Sequence, residues 1–176
     1  MKTALLVIDI QQALVDAHPA HSDAFLLNVD LLIHAAHNAG KEVIYVRHDG
    51  GAGDELEVNT PGWQLYRTLS PKPDEHIFEK RYASAFKETG LKDYLRSCDV
   101  RRLVICGMQT EYCIDTSIKA AFEHGFSVVV PSGATTTYAN PFLSGERLVS
   151  YYENMIWHEP LAKVLPMDQA LALLGE

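Results

Sequence analysis

Cysteine is scarce in this chain: Cys98, Cys106 and Cys113 are the 3 among 176 residues. The number is odd and no C-x-x-C occurs, which argues against a disulfide framework and points to reduced thiols in a cytoplasmic protein. Long hydrophobic runs are also missing. The longest, such as Ala4-Leu5-Leu6-Val7-Ile8, is far too short to cross a bilayer. The start of the chain does not read as a secretion signal, because Asp9 interrupts the apolar run after Lys2 and no small-residue cleavage site follows. Positive charge is in deficit. Lys and Arg number 15 against 23 Asp and Glu, giving a net charge of -8. The only basic clusters are the isolated pairs Lys80-Arg81 and Arg101-Arg102, so neither nucleic acid nor an anionic membrane is an expected partner. With 47% hydrophobic and 22% charged residues, the composition suits one globular domain over residues 1–176.

Short apolar runs alternate with longer helical patterns. Strands are predicted at Thr3–Ile8, Val43–Val46, His76–Glu79, Leu103–Cys106, Val128–Val130 and Ala162–Val164. Helical spacing follows from Ser22 to a stop at Gly40, around Leu91–Cys98, from a Thr110 cap to Gly125, from an Asn140-Pro141 start to about Trp157, and over Met167–Leu174. Residues 48–75 are rich in Gly, Pro, Asp and Glu and read as a long loop, with room for a short helix after Pro61; so long a loop in a small domain usually serves function. Six strands separated by helices predict a three-layer α-β-α fold of the α/β class, with a six-stranded, mostly parallel, Rossmann-like sheet. Reactive groups in such sheets gather at the carboxyl ends of the strands.

Three residues stand at such ends. Asp9 closes the first strand among neighbours that favour burial, where a carboxylate needs a partner. Taken alone, it reads equally as a loop cap or a structural acceptor. Lys80 follows the third strand and by itself is one solvated lysine among others. Cys113 lies at the start of a helix, where the positive end of the helix dipole favours a thiolate and the free N–H groups can hold an oxyanion. Its bland alternative is a small buried apolar residue, the role expected of Cys98 and Cys106. Together, an acid, a cation and a soft nucleophile at three strand ends can converge on one cleft.

These residues sit in the segments Leu6-Val7-Ile8-Asp9-Ile10-Gln11, Glu79-Lys80-Arg81-Tyr82-Ala83-Ser84-Ala85-Phe86 and Gly107-Met108-Gln109-Thr110-Glu111-Tyr112-Cys113. With all three in order, the sequence resembles the isochorismatase-like cysteine hydrolases, a superfamily that includes nicotinamidase, N-carbamoylsarcosine amidohydrolase and isochorismatase. The resemblance implies an Asp9-Lys80-Cys113 catalytic triad and no cofactor. It implies hydrolysis of an amide, carbamoyl or lactam C–N bond of a small molecule through a thioester, and assembly as a homodimer or larger homo-oligomer. It also implies a cis peptide between Met108 and Gln109, with backbone donors near Gln109 and Cys113 forming the oxyanion hole. Gln11, Trp63, Tyr82, Thr110 and Tyr112 are candidates for the substrate pocket.

The metal-dependent, nicotinamidase-like branch carries an Asp-x-His pair after the second strand. Here that segment reads Arg47-His48-Asp49-Gly50-Gly51, with the order reversed and no spacer, so no metal ligand is assigned. His34 and His37 share a helix face but are only two ligands, fewer than a zinc site needs. A redox-active thiol protein is the alternative of a different class, and it needs a resolving cysteine.

Overall fold

Strand residues alternate between opposite faces of a sheet, and the first strand shows it: Leu5 and Val7 join one apolar cluster, while Ala4, Leu6 and Ile8 join the other. The computed structural model describes residues 1–176. In chain order its elements are β1 (Thr3–Ile8), α1 (Gln12–Asp16), α2 (Ser22–Asn38), β2 (Glu42–His48), β3 (His76–Lys80), α3 (Leu91–Ser97) and β4 (Arg102–Met108). A π-helical turn, Thr110–Ile114, leads into α4 (Asp115–Glu123), followed by β5 (Ser127–Pro131), β6 (Thr135–Thr136) and α5 (Gly145–Tyr151). A second π-helical turn (Tyr152–Ile156), β7 (Lys163–Leu165) and α6 (Met167–Gly175) complete the chain.

The strands pair in parallel in the order β3-β2-β1-β4-β5-β7. A run of non-consecutive neighbours in a parallel sheet requires crossovers, and the helices that make them cover both faces. One face buries Phe25, Val29 and Leu32 of α2 and Ala170 and Leu174 of α6; the other buries Leu91 and Leu95 of α3 and Ile118 and Ala121 of α4. No helix is long and apolar enough to cross a membrane.

Four details differ from the sequence reading. The sheet has seven strands rather than six, because β6 adds two residues that pair with Gly107 and Met108 at the end of β4. Two residues are too short for a period-2 pattern to reveal. The helix expected from Asn140-Pro141 begins later. The Asn140 side chain accepts from the N–H groups of Phe142 and Leu143, closing a turn, and Ser144 caps α5 by accepting from the N–H of Arg147. Thr110 does not cap a helix either: it lies inside the π-helical turn, and its hydroxyl bonds to that of Thr135 at 3.2 Å. Residues 49–75 form successive turns without a helix after Pro61.

Candidate active site

Parallel pairing brings the carboxyl ends of β1, β2, β3 and β4 to one rim of the sheet, and each contributes a group there. Asp9 follows β1 directly, with its backbone in the left-handed region at φ 53° and its N–H bonded to Val46 at 2.9 Å. Lys80 is the last residue of β3 and lies in register with His48, the last residue of β2. Its side chain crosses the end of β2 toward β1. Cys113 sits in the π-helical turn after β4. The approach to that turn admits only glycine at 107, where φ is +132° and a Cβ would lie 2.0 Å from the carbonyl oxygen of Ile8. The peptide between Met108 and Gln109 is cis, as the resemblance implies.

The structure brings Asp9, Lys80 and Cys113 into contact through the lysine. Lys80 Nζ lies 2.6 Å from Asp9 Oδ2 and donates to Cys113 Sγ at 3.2 Å. A third neighbour, His48 Nδ1, lies 3.1 Å away. Beside an ammonium that can only donate, His48 Nδ1 is the acceptor, so its ring is neutral. Burial, and then the Lys80 charge, lowers its pKa and favours that same neutral form. All three N–H bonds of the buried ammonium are therefore engaged.

The remaining Asp9 oxygen, Oδ1, is buried and has no hydrogen-bond partner, which leaves it open to the thiol proton. Burial and the negative charge of Asp9 push the Cys113 thiol up to about 12, against the opposing pull of Lys80. Burial and the adjacent carboxylate thus work against the thiolate that its place at a helix start favours.

A cavity of about 160 Å³ opens beside the three residues. Its polar lining is Asp9, His48, Gln109 and Cys113, and its apolar lining is Leu14, Leu56, Met108 and Tyr112. Larger hollows exist elsewhere, one of about 350 Å³ at the amino ends of β2 and β3, but it holds none of these reactive groups. Of the five pocket candidates read from the sequence, Tyr112 lines the cavity and is 58% exposed. The other four lie elsewhere. The buried Gln11 amide donates to the carbonyls of His48 and Trp63 and accepts from the His48 N–H at 2.8 Å, so it pins the long loop to β2. Thr110 is buried against Thr135. Trp63 is buried under the Arg47 guanidinium, 3.5 Å above its ring, and anchors the loop. Tyr82 is 40% exposed, beneath Lys87, in a neighbouring hollow. His48 and Leu56 line the cavity without having stood out in the sequence. His48 could have been found from its position at a strand's carboxyl end; Leu56, an ordinary leucine in a loop, gives no signal.

The residues near the rim do not fit a metal. Both Asp49 oxygens are taken, one by the N–H of Gly51 at 2.9 Å and the other by Arg81 Nε at 2.7 Å, and these contacts hold its carboxyl below the usual range. His48 Nδ1 faces the Lys80 ammonium, and no three His, Cys, Asp or Glu side chains gather in a group that could hold an ion. His37 is paired with Glu75 and His34 with Asp30, away from the rim.

Comparison with known proteins adds an independent line. The isochorismatase domain family matches residues 3–144. Streptothricin hydrolase of Streptomyces noursei is 36% identical over 140 residues, which are 78% of this chain and 51% of that protein. The chain thus spans about half the length of that relative. Ureidoacrylate amidohydrolase RutB of Acinetobacter baylyi is 28% identical over 159 residues, 69% of this chain and 65% of the relative. A crystal structure of an isochorismatase family protein superposes with a TM-score of 0.85 at 30% identity, covering 93% of this chain and 97% of the other.

Proposed function

This chain belongs to the isochorismatase family, and from that premise we propose that it is a cysteine hydrolase that cleaves a C–N bond of a small amide. The observation that carries the reading is the buried Lys80 ammonium held between the Asp9 carboxylate and the Cys113 sulfur. Names among the relatives, a streptothricin hydrolase and an amidohydrolase, agree with it.

Since burial and Asp9 both favour the neutral thiol, attack and deprotonation are coupled. Asp9 Oδ1 takes the thiol proton as Cys113 Sγ bonds to the carbonyl carbon, and the backbone N–H groups of Gln109 and Cys113 hold the oxyanion. Asp9 then passes that proton to the leaving nitrogen as the C–N bond breaks, leaving a thioester on Cys113. The same carboxylate takes a proton from a water molecule, whose oxygen adds to the thioester carbon. Collapse releases the carboxylic acid, and the proton returns to the sulfur. Lys80 keeps the carboxylate oriented and, lying beside both Asp9 and the sulfur, offsets the negative charge that passes from the carboxylate into the tetrahedral adduct.

A panel of small amides, ureas and carbamoyl compounds, assayed for ammonia or amine release, tests the proposal. Turnover by the wild type and none by Cys113→Ala is the expected result; unchanged turnover in the variant contradicts it. The redox alternative needs a resolving cysteine, and Cys106 lies buried within β4 and Cys98 at the end of α3, neither in the cavity lining. Peroxide titration that yields a disulfide involving Cys113 would favour that alternative.

A further inference from the structure

The cavity beside Cys113 has an unusual charge balance for a site built around an ammonium. Lys80 has no N–H left for a ligand, since Asp9, Cys113 and His48 take all three. The other cations near the rim lie outside the lining. Arg47 is held by Glu79 at 2.9 Å and by the Trp63 ring, and Arg81 by Asp49 at 2.7 Å; neither lines the cavity. His48 is neutral for the reason given above. The one carboxylate in the lining, Asp9, is already balanced by Lys80. What remains for a ligand's body is Leu14 from α1, Leu56 from the long loop, Met108 and Tyr112.

We propose that this site takes a primary amide whose acyl group is small, uncharged and apolar. The proposal rests on the amide-hydrolase reading of the same cavity and adds the substrate class. Enclosing an unpaired charge is costly, and here no Lys or Arg side chain lines the cavity to meet a ligand's carboxylate, while the one carboxylate in the lining, Asp9, is balanced by Lys80 and keeps free only the oxygen that the reaction uses as its base. Size sets the other bound. A cavity of about 160 Å³ is close to those that hold a single benzene-sized molecule. The amide head occupies part of that space beside Cys113, which leaves room for a short branched or cyclic aliphatic group against Leu14 and Leu56.

The test compares three amides of similar size: isobutyramide, which is neutral, malonamate, which is anionic, and glycinamide, which is cationic. Two readouts are taken on the wild-type protein. One is kcat/KM from ammonia release; the other is protection of Cys113 from iodoacetamide, mapped by mass spectrometry, which reports occupancy without requiring chemistry. The expected result is a kcat/KM for isobutyramide at least tenfold above those of both charged amides, with protection in the same order. Malonamate or glycinamide turned over as well as isobutyramide overturns the substrate class and leaves the hydrolase reading standing. Selective protection by isobutyramide with no ammonia from any amide supports the pocket's preference and overturns the hydrolase reading. No difference in protection among the three overturns the inference outright.

Discussion

In the proposed reaction Cys113 is the nucleophile, and its two charged neighbours act on the thiol in opposite directions. Asp9 raises the thiol pKa and Lys80 lowers it. Asp9→Asn is therefore expected to cut kcat by at least ~10²-fold, the scale of a lost general base, while making the thiol more acidic. Lys80→Ala is expected to lose turnover and make the thiol less acidic. The pH dependence of iodoacetamide alkylation checks both: the midpoint should move down in the first variant and up in the second. A midpoint that stays put in Lys80→Ala shows that the lysine does not tune the sulfur. His48 gives a pH effect on stability. Its folded pKa is lowered, so above the ordinary value of about 6.5 both folded and unfolded chains are neutral and nothing is lost. As pH falls below that value the unfolded chain takes up a proton that the folded site resists, and stability declines through the folded pKa. Thermal melts from pH 7.5 down to 5 should fall less steeply in His48→Gln than in the wild type.

At the scale of elements, the site depends on two close fits. The first is Gly107, where β4 runs against the Ile8 carbonyl. Gly107→Ala is expected to cost about 3 kcal/mol or more, the upper range for overpacking, read as a lower urea midpoint. The second is Gln11, whose amide binds the backbone of His48 and Trp63. Gln11→Ala leaves those buried groups unpartnered, at about 1–3 kcal/mol for a stranded group, and should open residues 49–75 to trypsin before the rest of the chain. Gln11 also shows what the sequence can and cannot tell. A polar residue just after a strand is visible at the rim, but whether its amide faces a ligand or the backbone depends on a loop that returns from 52 residues away. Thr110 stands out for the same reason and Trp63 as an aromatic in the long loop; the one packs against Thr135 and the other under Arg47. Asp9, Lys80 and Cys113 are legible because strand ends in a parallel sheet converge, which follows from topology alone. The upward push on the Cys113 thiol is not legible, because the helix dipole can be read from sequence whereas burial cannot.

For the molecule as a whole, the alternating strand and helix patterns specify the layered parallel sheet, and of its strands only the two-residue β6 escapes them. The rim residues are committed to one another rather than to an ion: Asp49 to Arg81, His48 to Lys80. Chelator treatment of protein purified without an affinity tag is therefore expected to leave activity unchanged; loss on chelation with recovery on adding zinc would place the protein with the nicotinamidase-like enzymes. Phe142, Met155 and Tyr151 are exposed apolar side chains, and light scattering is expected to find a homodimer or larger homo-oligomer rather than a monomer. The central claim is that Cys113 carries the acyl group between two half-reactions. Rapid acid quench during turnover of isobutyramide, followed by peptide mass mapping, tests this most directly. One isobutyryl group on the peptide containing Cys113, absent in Cys113→Ala, is the expected result. An acyl group on Cys98 or Cys106, or steady turnover by Cys113→Ala, would contradict it.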